Sequence, residues 1–216
     1  MSTGATIATA VRAGAKVDIL TVFGYGPGSN TPADAWDSKS GFATEGEACR
    51  ARRLEDREAC EILGATPQWF DFGSDGYERH GSRQEILSSV IAAVAGADCV
   101  LIPGFPLLHP DHCELTRLLL GARLYTQIGL YAEQPYTFWE RKRLDPAMRA
   151  LALEDILHSP LVWTRRRTDR EARWMKLRAV RCYRSQLYQL GLARVGLFHM
   201  LWHESMQEGE AIAWLP

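Results

Sequence analysis

Along the first 135 residues, segments whose apolar positions follow a strand pattern alternate with segments whose apolar positions follow a helix pattern. Continuous apolar runs predict short buried strands at 17–23, 69–72, 99–102 and 128–131. Apolar positions at helical spacing predict helices at 5–13, 44–63, 82–96 and 112–122. Because helices and strands alternate, the pattern predicts an α/β, Rossmann-like fold with a mostly parallel sheet and helices on both faces.

The pattern changes after Pro135. Thr168 and Glu171 have the spacing of a capping box, which predicts the start of a long helix that reaches about Leu190. The stretch at 210–215 predicts a closing strand. The 216 residues contain no internal repeat, and this length fits a single domain spanning 1–216.

The predicted order of elements begins with the helix at 5–13, which is unusual for such a fold. Each helix of a doubly wound sheet crosses from one buried strand to the next, so the sheet normally begins with a strand. We therefore expect the first strand to be missing. Either the sheet tolerates this gap or the sequence lacks its start.

Charge, cysteine content and glycine spacing narrow the class of protein. The formal net charge of −1 gives no basic surface of the kind that binds nucleic acid. No apolar run approaches the roughly 20 residues that span a bilayer, and no signal-peptide pattern opens the chain. The five cysteines form no CxxC pair, so we expect reduced thiols and a cytoplasmic protein. The glycine-rich segment 24–28 does not match GxGxxG, which disfavours a nucleotide-binding protein.

The segment His109-Pro110-Asp111-His112 carries the strongest chemical signal. It follows the predicted strand at 99–102, and open α/β sheets bind ligands at the carboxyl ends of their strands. Neutral imidazole binds zinc, protonated imidazole stabilises an oxyanion, and a carboxylate orients either ring. The sequence therefore indicates metal-assisted hydrolysis, with the two histidines and the aspartate as candidate site residues.

Asp111 also has a structural interpretation. With Glu114 three residues later, it fits the N-cap of the following helix. The two interpretations are compatible, because one carboxylate could cap the helix and orient His109. Cys113 lies beside the segment, but small buried cysteines commonly have no chemical role.

Arg52 is the second point of interest. On a helical wheel of 44–63, Arg52 and Glu55 lie within an apolar stripe that includes Ala48 and Ala59. A charged pair on an apolar face is costly unless its groups are satisfied. Two interpretations stay open: a buried structural ion pair, or an arginine that reaches the substrate while Glu55 holds it.

Two further groups are weaker candidates. Asp71, Asp75 and His80 lie in a loop after a short predicted strand, where turn-forming aspartate is the default. His199 and His203 have helical metal spacing but lack an HExxH glutamate, so packing or an interface is the simpler interpretation.

At these residues the chain resembles the PIG-L/LmbE family of zinc-dependent N-deacetylases. The resemblance covers roughly residues 2–135 and is loose over 135–216. It is carried by the segment 4–8 with the strand beginning at Val17, by Arg52, Glu55, Ala59 and Leu63-Gly64, and by His109-Pro110-Asp111-His112. The resemblance implies a hydrolase that removes an N-acetyl or N-acyl group from a small amino-sugar-containing substrate.

The resemblance also implies a role for each matched site residue. His112 would be a zinc ligand, with zinc as the cofactor. His109 would act on the carbonyl or tetrahedral oxyanion as an imidazolium, and Asp111 would tune it. Arg52 would hold the substrate.

One segment of the family pattern has no counterpart in this sequence. The family carries a His-Pro-Asp-Asp-type motif after its first strand, which supplies two zinc ligands and a general base. Catalytic zinc normally needs three protein ligands, so His112 alone would bind it weakly and we expect little zinc-dependent activity. A truncated start is the simpler explanation, and a non-catalytic sugar-binding pseudoenzyme is the alternative. The apolar stretch at 192–202 offers an interface for a homo-oligomer.

Overall fold

The computed structural model describes residues 2–78, 80–122, 124–139, 153, 156–157, 161–193, 195–206 and 209–216. These residues belong to two compact units. The first unit comprises 3–81 and 168–203, and the second comprises residue 2, 82–167 and 204–216. The expectation of a single domain over 1–216 stays a prediction.

Fifteen helices and strands are described. In chain order they are α1 (Gly4–Arg12), β1 (Asp18–Thr21), α2 (Ala35–Lys39), α3 (Glu45–Leu63), β2 (Thr66–Trp69), α4 (Arg83–Val94), β3 (Cys99–Phe105), α5 (Pro110–Gly121), β4 (Gln127–Ala132), α6 (Tyr136–Trp139), β5 (Trp163–Arg166), α7 (Arg170–Val180), α8 (Arg184–Leu187), α9 (Val195–Met206) and β6 (Glu210–Trp214). This order confirms the α/β class. None of the described helices is long and apolar enough to cross a bilayer.

The first unit combines a small sheet with packed helices. β1 and β2 pair in parallel, with Asp18 opposite Thr66 and Thr21 opposite Trp69. Its helical core consists mostly of alanines, which allow close approach of helix axes because their side chains are short. The buried members are Ala5, Ala8, Ala59, Leu63, Ala172, Ala179 and Cys182.

The second unit contains a four-stranded sheet in the order β3-β4-β6-β5. β3 and β4 are parallel, whereas β6 pairs antiparallel with both β4 and β5. The parallel part of the expected sheet is therefore confined, among the described strands, to the pairs β1–β2 and β3–β4. The sequence pattern could not separate these cases, because the alternation of side chains is the same for either strand direction.

β3 continues beyond its predicted end at 102, because Pro103 and Gly104 do not close it. Pro103 pairs with Tyr131, and Phe105 pairs with Ala132 after a register shift. Gly104 permits this approach, since a Cβ there would lie 2.5 Å from the Leu130 Cβ. The extension carries the carboxyl end of β3 to the segment that holds the histidines.

Two other predicted boundaries are corrected. The strand expected at 69–72 lies at Thr66–Trp69, and the carbonyls of Phe70 and Phe72 instead accept hydrogen bonds from residues 24 and 25. The long helix expected to reach 190 ends at Val180. Cys182 is buried in the helical core and Tyr183 packs against it, so the chain turns inward before α8 begins.

The C-terminus of α3 depends on Gly64. This residue has a left-handed backbone with a φ of 74°, which suits glycine because it has no Cβ. A Cβ at this position would also lie 2.8 Å from Cγ1 of Val11 on α1. Gly14 provides a comparison, since its φ is 92° but a Cβ there would have no other atom within 4 Å.

We expect Gly64→Ala to lower the free energy of unfolding more than Gly14→Ala. Both substitutions place alanine in the left-handed region, which costs about 1–2 kcal/mol of stability. Only Gly64→Ala also crowds Val11, and overpacking of this kind adds roughly 1–3 kcal/mol. Chemical denaturation of the two variants measures the difference. Equal losses of stability would contradict the packing of α3 on α1 through this residue.

Candidate active site

The segment 109–112 follows the carboxyl end of β3 and forms the N-cap and first turn of α5. Leu107, in the connecting turn, has a φ of 58° and is the only non-glycine residue in the described ranges with a positive φ. Such a conformation costs roughly 1–2 kcal/mol, so other contacts must hold the turn. Pro110 then begins α5, where a residue without an N–H is well tolerated.

Glu133 holds this turn from the neighbouring strand. It follows β4 directly, and its side chain is 1% exposed. Oε1 accepts a hydrogen bond of 2.8 Å from the backbone N–H of Leu107, and Oε2 contacts Nδ1 of His112. Glu133 is not among the residues predicted from the sequence. Its position just after a strand parallel to β3 was the available signal, because such strand ends share one edge of a sheet.

The charge of Glu133 also affects two nearby phenols. Burial raises the pKa of Tyr131, and the negative charge of Glu133 raises it further. The pKa of Tyr136 is raised by the same two causes, in the same order. Both phenols therefore stay protonated and neutral at physiological pH, and they add no negative charge to this part of the second unit.

His109 and His112 lie side by side, as their spacing in the sequence suggested. Their ring centroids are 5.0 Å apart with an interplanar angle of 34°. The side chains are 41% and 39% exposed, so both rings are accessible to a ligand. His112 directs Nδ1 at Glu133, which leaves Nε2 as the nitrogen that could coordinate a metal.

Asp111 is not the N-cap of α5, contrary to its structural interpretation. His109 is the N-cap, and its Nδ1 accepts a hydrogen bond of 3.2 Å from the backbone N–H of Asp111. Asp111 lies in the first turn of α5 and is 7% exposed. Its Oδ2 is 4.0 Å from Nδ1 of His109, which fits the expectation that this carboxylate influences the ring.

The fit of this site to zinc is partial. His112 has the arrangement of a metal-binding histidine, with a buried carboxylate on Nδ1 and Nε2 available. Within the described ranges, however, no three His, Cys, Asp or Glu side chains are grouped so that they could hold a metal. His112 alone falls short of the three protein ligands of an ordinary catalytic zinc site.

Arg52 belongs to the first unit and pairs with Asp37 rather than with Glu55. Its guanidinium contacts Oδ1 of Asp37, whose side chain is 1% exposed, while that of Arg52 is 34% exposed. Tyr77 donates a 2.6 Å hydrogen bond to the other oxygen of Asp37. Burial raises the pKa of the Tyr77 hydroxyl, and this hydrogen bond raises it further.

Glu55 has a separate structural role. It is 6% exposed, and it accepts hydrogen bonds from the backbone N–H and the Oγ of Ser185, at 2.8 and 2.7 Å. Both interpretations that coupled Glu55 to Arg52 are therefore wrong in their choice of partner. Helical spacing found two charges on one face, but their partners come from distant parts of the chain, at α2 and α8.

The weaker candidates have ordinary contacts. Asp71 accepts a 2.6 Å hydrogen bond from Arg53, and the ring of His80 lies 4.0 Å from that of Tyr25. His199 is exposed on α9. A shallow cleft of about 260 Å³ in the first unit is lined by Tyr25, Gly26, Pro27, Gly28, Ser29 and Asp71. Five of the six lining residues belong to the stretch 25–29.

Comparisons with known proteins give one family and a consistent fold. Residues 1–122 match the family described as PIG-L, GlcNAc-PI de-N-acetylase. No curated protein matches the chain. The family match includes both Arg52 and the segment 109–112, which are the two parts of the chain that carry the site residues predicted from the sequence.

Similar solved structures cover nearly the whole chain. The A40926 pseudoaglycone deacetylase Dbv21 has a TM-score of 0.77 at 24% identity, covering 99% of this chain and 90% of that one. The zinc-inhibited form of the teicoplanin deacetylase Orf2 has a TM-score of 0.81 at 20% identity, with 99% and 92% covered. The 4-carboxy-2-hydroxymuconate hydratase GalB from Pseudomonas putida has a TM-score of 0.59 at 18% identity, covering 99% of this chain and 90% of that one. At these identities the likeness shows the fold alone.

Family membership rests on the sequence match. The matched region comprises more than half of the 216 residues. It contains the histidine pair whose geometry suits hydrolysis, and deacetylases share the fold. The chain therefore belongs to the PIG-L family of N-deacetylases, hydrolases that cleave a C–N amide bond.

Proposed function

We propose that the chain removes an N-acetyl group, or a similar N-acyl group, from a small molecule that contains an amino sugar. The observation that carries this proposal is the pair of accessible imidazoles, 5.0 Å apart, beside the buried carboxylates of Asp111 and Glu133. Family membership supports amide hydrolysis, and the family description names an N-acetylglucosaminyl substrate.

Zinc is the cofactor that we propose, with Nε2 of His112 as one ligand. Bound zinc would supply Lewis acidity, which polarises an amide carbonyl and activates water. The contact between Glu133 and Nδ1 supports this role, because metal-binding imidazoles commonly pair with a carboxylate in this way. The described residues contain no cluster of His, Cys, Asp or Glu side chains that would supply the other zinc ligands.

His109 is proposed to stabilise the negative charge that develops on the amide oxygen. Its ring accepts a hydrogen bond at Nδ1 from the backbone of Asp111, so Nε2–H is the donor available to a ligand. A preorganised donor of this kind is worth more in the transition state than in the ground state. Asp111 is the proposed tuning residue, since its backbone N–H donates to Nδ1 of His109 and its buried carboxylate lies 4.0 Å from the same nitrogen.

Arg52 is proposed to hold the substrate. Asp37 engages one nitrogen of its guanidinium, and the group carries five N–H donors, so donors remain for a sugar hydroxyl or other oxygen. The buried Asp37 fixes the position of the guanidinium and reduces the entropy lost on binding.

A non-catalytic sugar-binding module is the second candidate. It is favoured by one observation: the described residues do not group three metal-binding side chains. Such a module would bind an N-acetylated amino sugar without turning it over. The two candidates therefore differ in turnover and not in affinity.

We expect the purified 216-residue chain to contain zinc well below a stoichiometric amount, because His112 is the one described residue with a ligand geometry. Elemental analysis measures the content, and His112→Ala should remove what is bound. Near-stoichiometric zinc would contradict this expectation and implicate other ligands. Asp71, Asp75 and His80 are then the first residues to substitute.

We expect deacetylation with added zinc to be slow but dependent on His109. His109→Ala should lower kcat by about 10²–10³, the usual effect of removing one oxyanion donor. Release of primary amine from a panel of N-acetylated amino sugars measures the rate. The matched control is His199→Ala, on the exposed face of α9, which should leave kcat unchanged. Sugar binding with no turnover in the wild-type chain would favour the binding module.

We expect Arg52→Lys to raise KM or Kd for the amino sugar about tenfold with little change in kcat. Lysine keeps the charge next to Asp37 but loses the planar array of donors. The control is Arg57→Lys on the same helix, whose side chain lies over the ring of Trp69. A lower melting temperature for Arg52→Lys with unchanged substrate affinity would mean that Arg52 is structural only.

A further inference from the structure

We propose that Glu133 is a positioning residue that holds His112 in the tautomer with a proton on Nδ1 and a free electron pair on Nε2. The two oxygens of its carboxylate have different partners. Oε1 accepts from the backbone N–H of Leu107, and Oε2 contacts Nδ1 of His112. A carboxylate only accepts hydrogen bonds, so the proton between Oε2 and the ring belongs to Nδ1.

Burial strengthens this preference. The Glu133 side chain is 1% exposed, so water cannot replace a lost hydrogen bond at its oxygens. The opposite tautomer of His112 would place two electron pairs against each other, at Oε2 and Nδ1. In a buried site this repulsion is poorly screened, and the ring has no reason to adopt that tautomer.

The neighbouring ring has the opposite arrangement. Nδ1 of His109 accepts from the backbone N–H of Asp111, which places the proton of the neutral ring on Nε2. The paired rings therefore offer two different groups to a ligand: an N–H donor from His109 and an electron pair from His112. This difference between the two rings is set by Glu133 and by the backbone of α5. The sequence alone does not predict it, because the two side chains are chemically identical.

Glu133 also supports the left-handed turn at Leu107, so a purely structural role must be separated from positioning. Glu133→Gln separates them. The amide oxygen can keep the hydrogen bond to Leu107, but the amide nitrogen then faces Nδ1 of His112 as a donor. His112 must respond by moving its proton to Nε2, which removes the electron pair from that nitrogen.

The tautomer is measured by ¹⁵N NMR of histidine-labelled protein at a pH where the imidazoles are neutral, because protonated and unprotonated ring nitrogens resonate far apart. The His112 signals are assigned from their loss in His112→Ala. We expect Nδ1–H in the wild-type protein and Nε2–H in Glu133→Gln. Glu114→Gln is the matched control on α5, where Glu114 pairs with Arg83 at 3.1 Å, and it should leave the His112 signals unchanged.

The wild-type spectrum alone tests the proposal, even if a variant fails to fold. Nε2–H on His112 in the wild-type protein would overturn it, and so would an unchanged tautomer in a folded Glu133→Gln. As a second readout, titration with zinc alone should show about a 10–100-fold weaker Kd for Glu133→Gln than for Glu114→Gln. Equal zinc affinities of these two variants would contradict the positioning role.

The use of this tautomer in catalysis rests on the proposed deacetylase function, but the two can fail separately. If the NMR spectra show the expected His112 tautomer but no deacetylation is measured, the proposed function is contradicted and the role of Glu133 is not. Deacetylation that depends on His109, together with Nε2–H on wild-type His112, would remove only the role of Glu133.

Discussion

The buried carboxylate of Glu133 is the constraint on which the histidine site depends. A carboxylate away from water costs several kcal/mol unless its oxygens are hydrogen-bonded, and each oxygen here has a partner. One partner is the backbone of the left-handed Leu107, and the other is the ring of His112. One buried charge therefore links the end of β4, the turn after β3 and the start of α5. The local backbone and the chemistry of His112 follow from the same contact.

A second buried carboxylate organises the first unit in a similar way. Asp37 is 1% exposed, and it is satisfied by Arg52 on α3 and by the hydroxyl of Tyr77. Asp37 also lies in α2, a short helix in the segment that connects β1 to α3, so this connection is anchored to α3 through a charge pair. Arg52, which helical spacing identified, is thus positioned by Asp37, a residue for which the sequence offered no signal.

Much of the fold was predictable where the pattern is long and periodic. The helix α3 lies within a residue or so of its predicted range, and the strands at 99 and 128 begin close to where apolar runs begin. Boundaries were less predictable where tertiary contacts intervene. β3 extends past Pro103 because Gly104 lets Leu130 approach, and α7 ends at Val180 because Cys182 is drawn into the core. The antiparallel direction of β6 could not be predicted either, since the alternation of side chains is the same in parallel and antiparallel strands.

The sequence by itself determined the α/β class, the family, and the pairing of His109 with His112, because these depend on local periodicity and on residues a helical turn apart. Only the tertiary structure decided what surrounds those residues. In the folded protein His109 rather than Asp111 caps the helix, Arg52 forms an ion pair with Asp37, and Glu133 contacts His112. The reason is physical: hydrogen bonds and charges are satisfied by proximity in space, and partners separated by 15 or 21 residues leave no periodic trace.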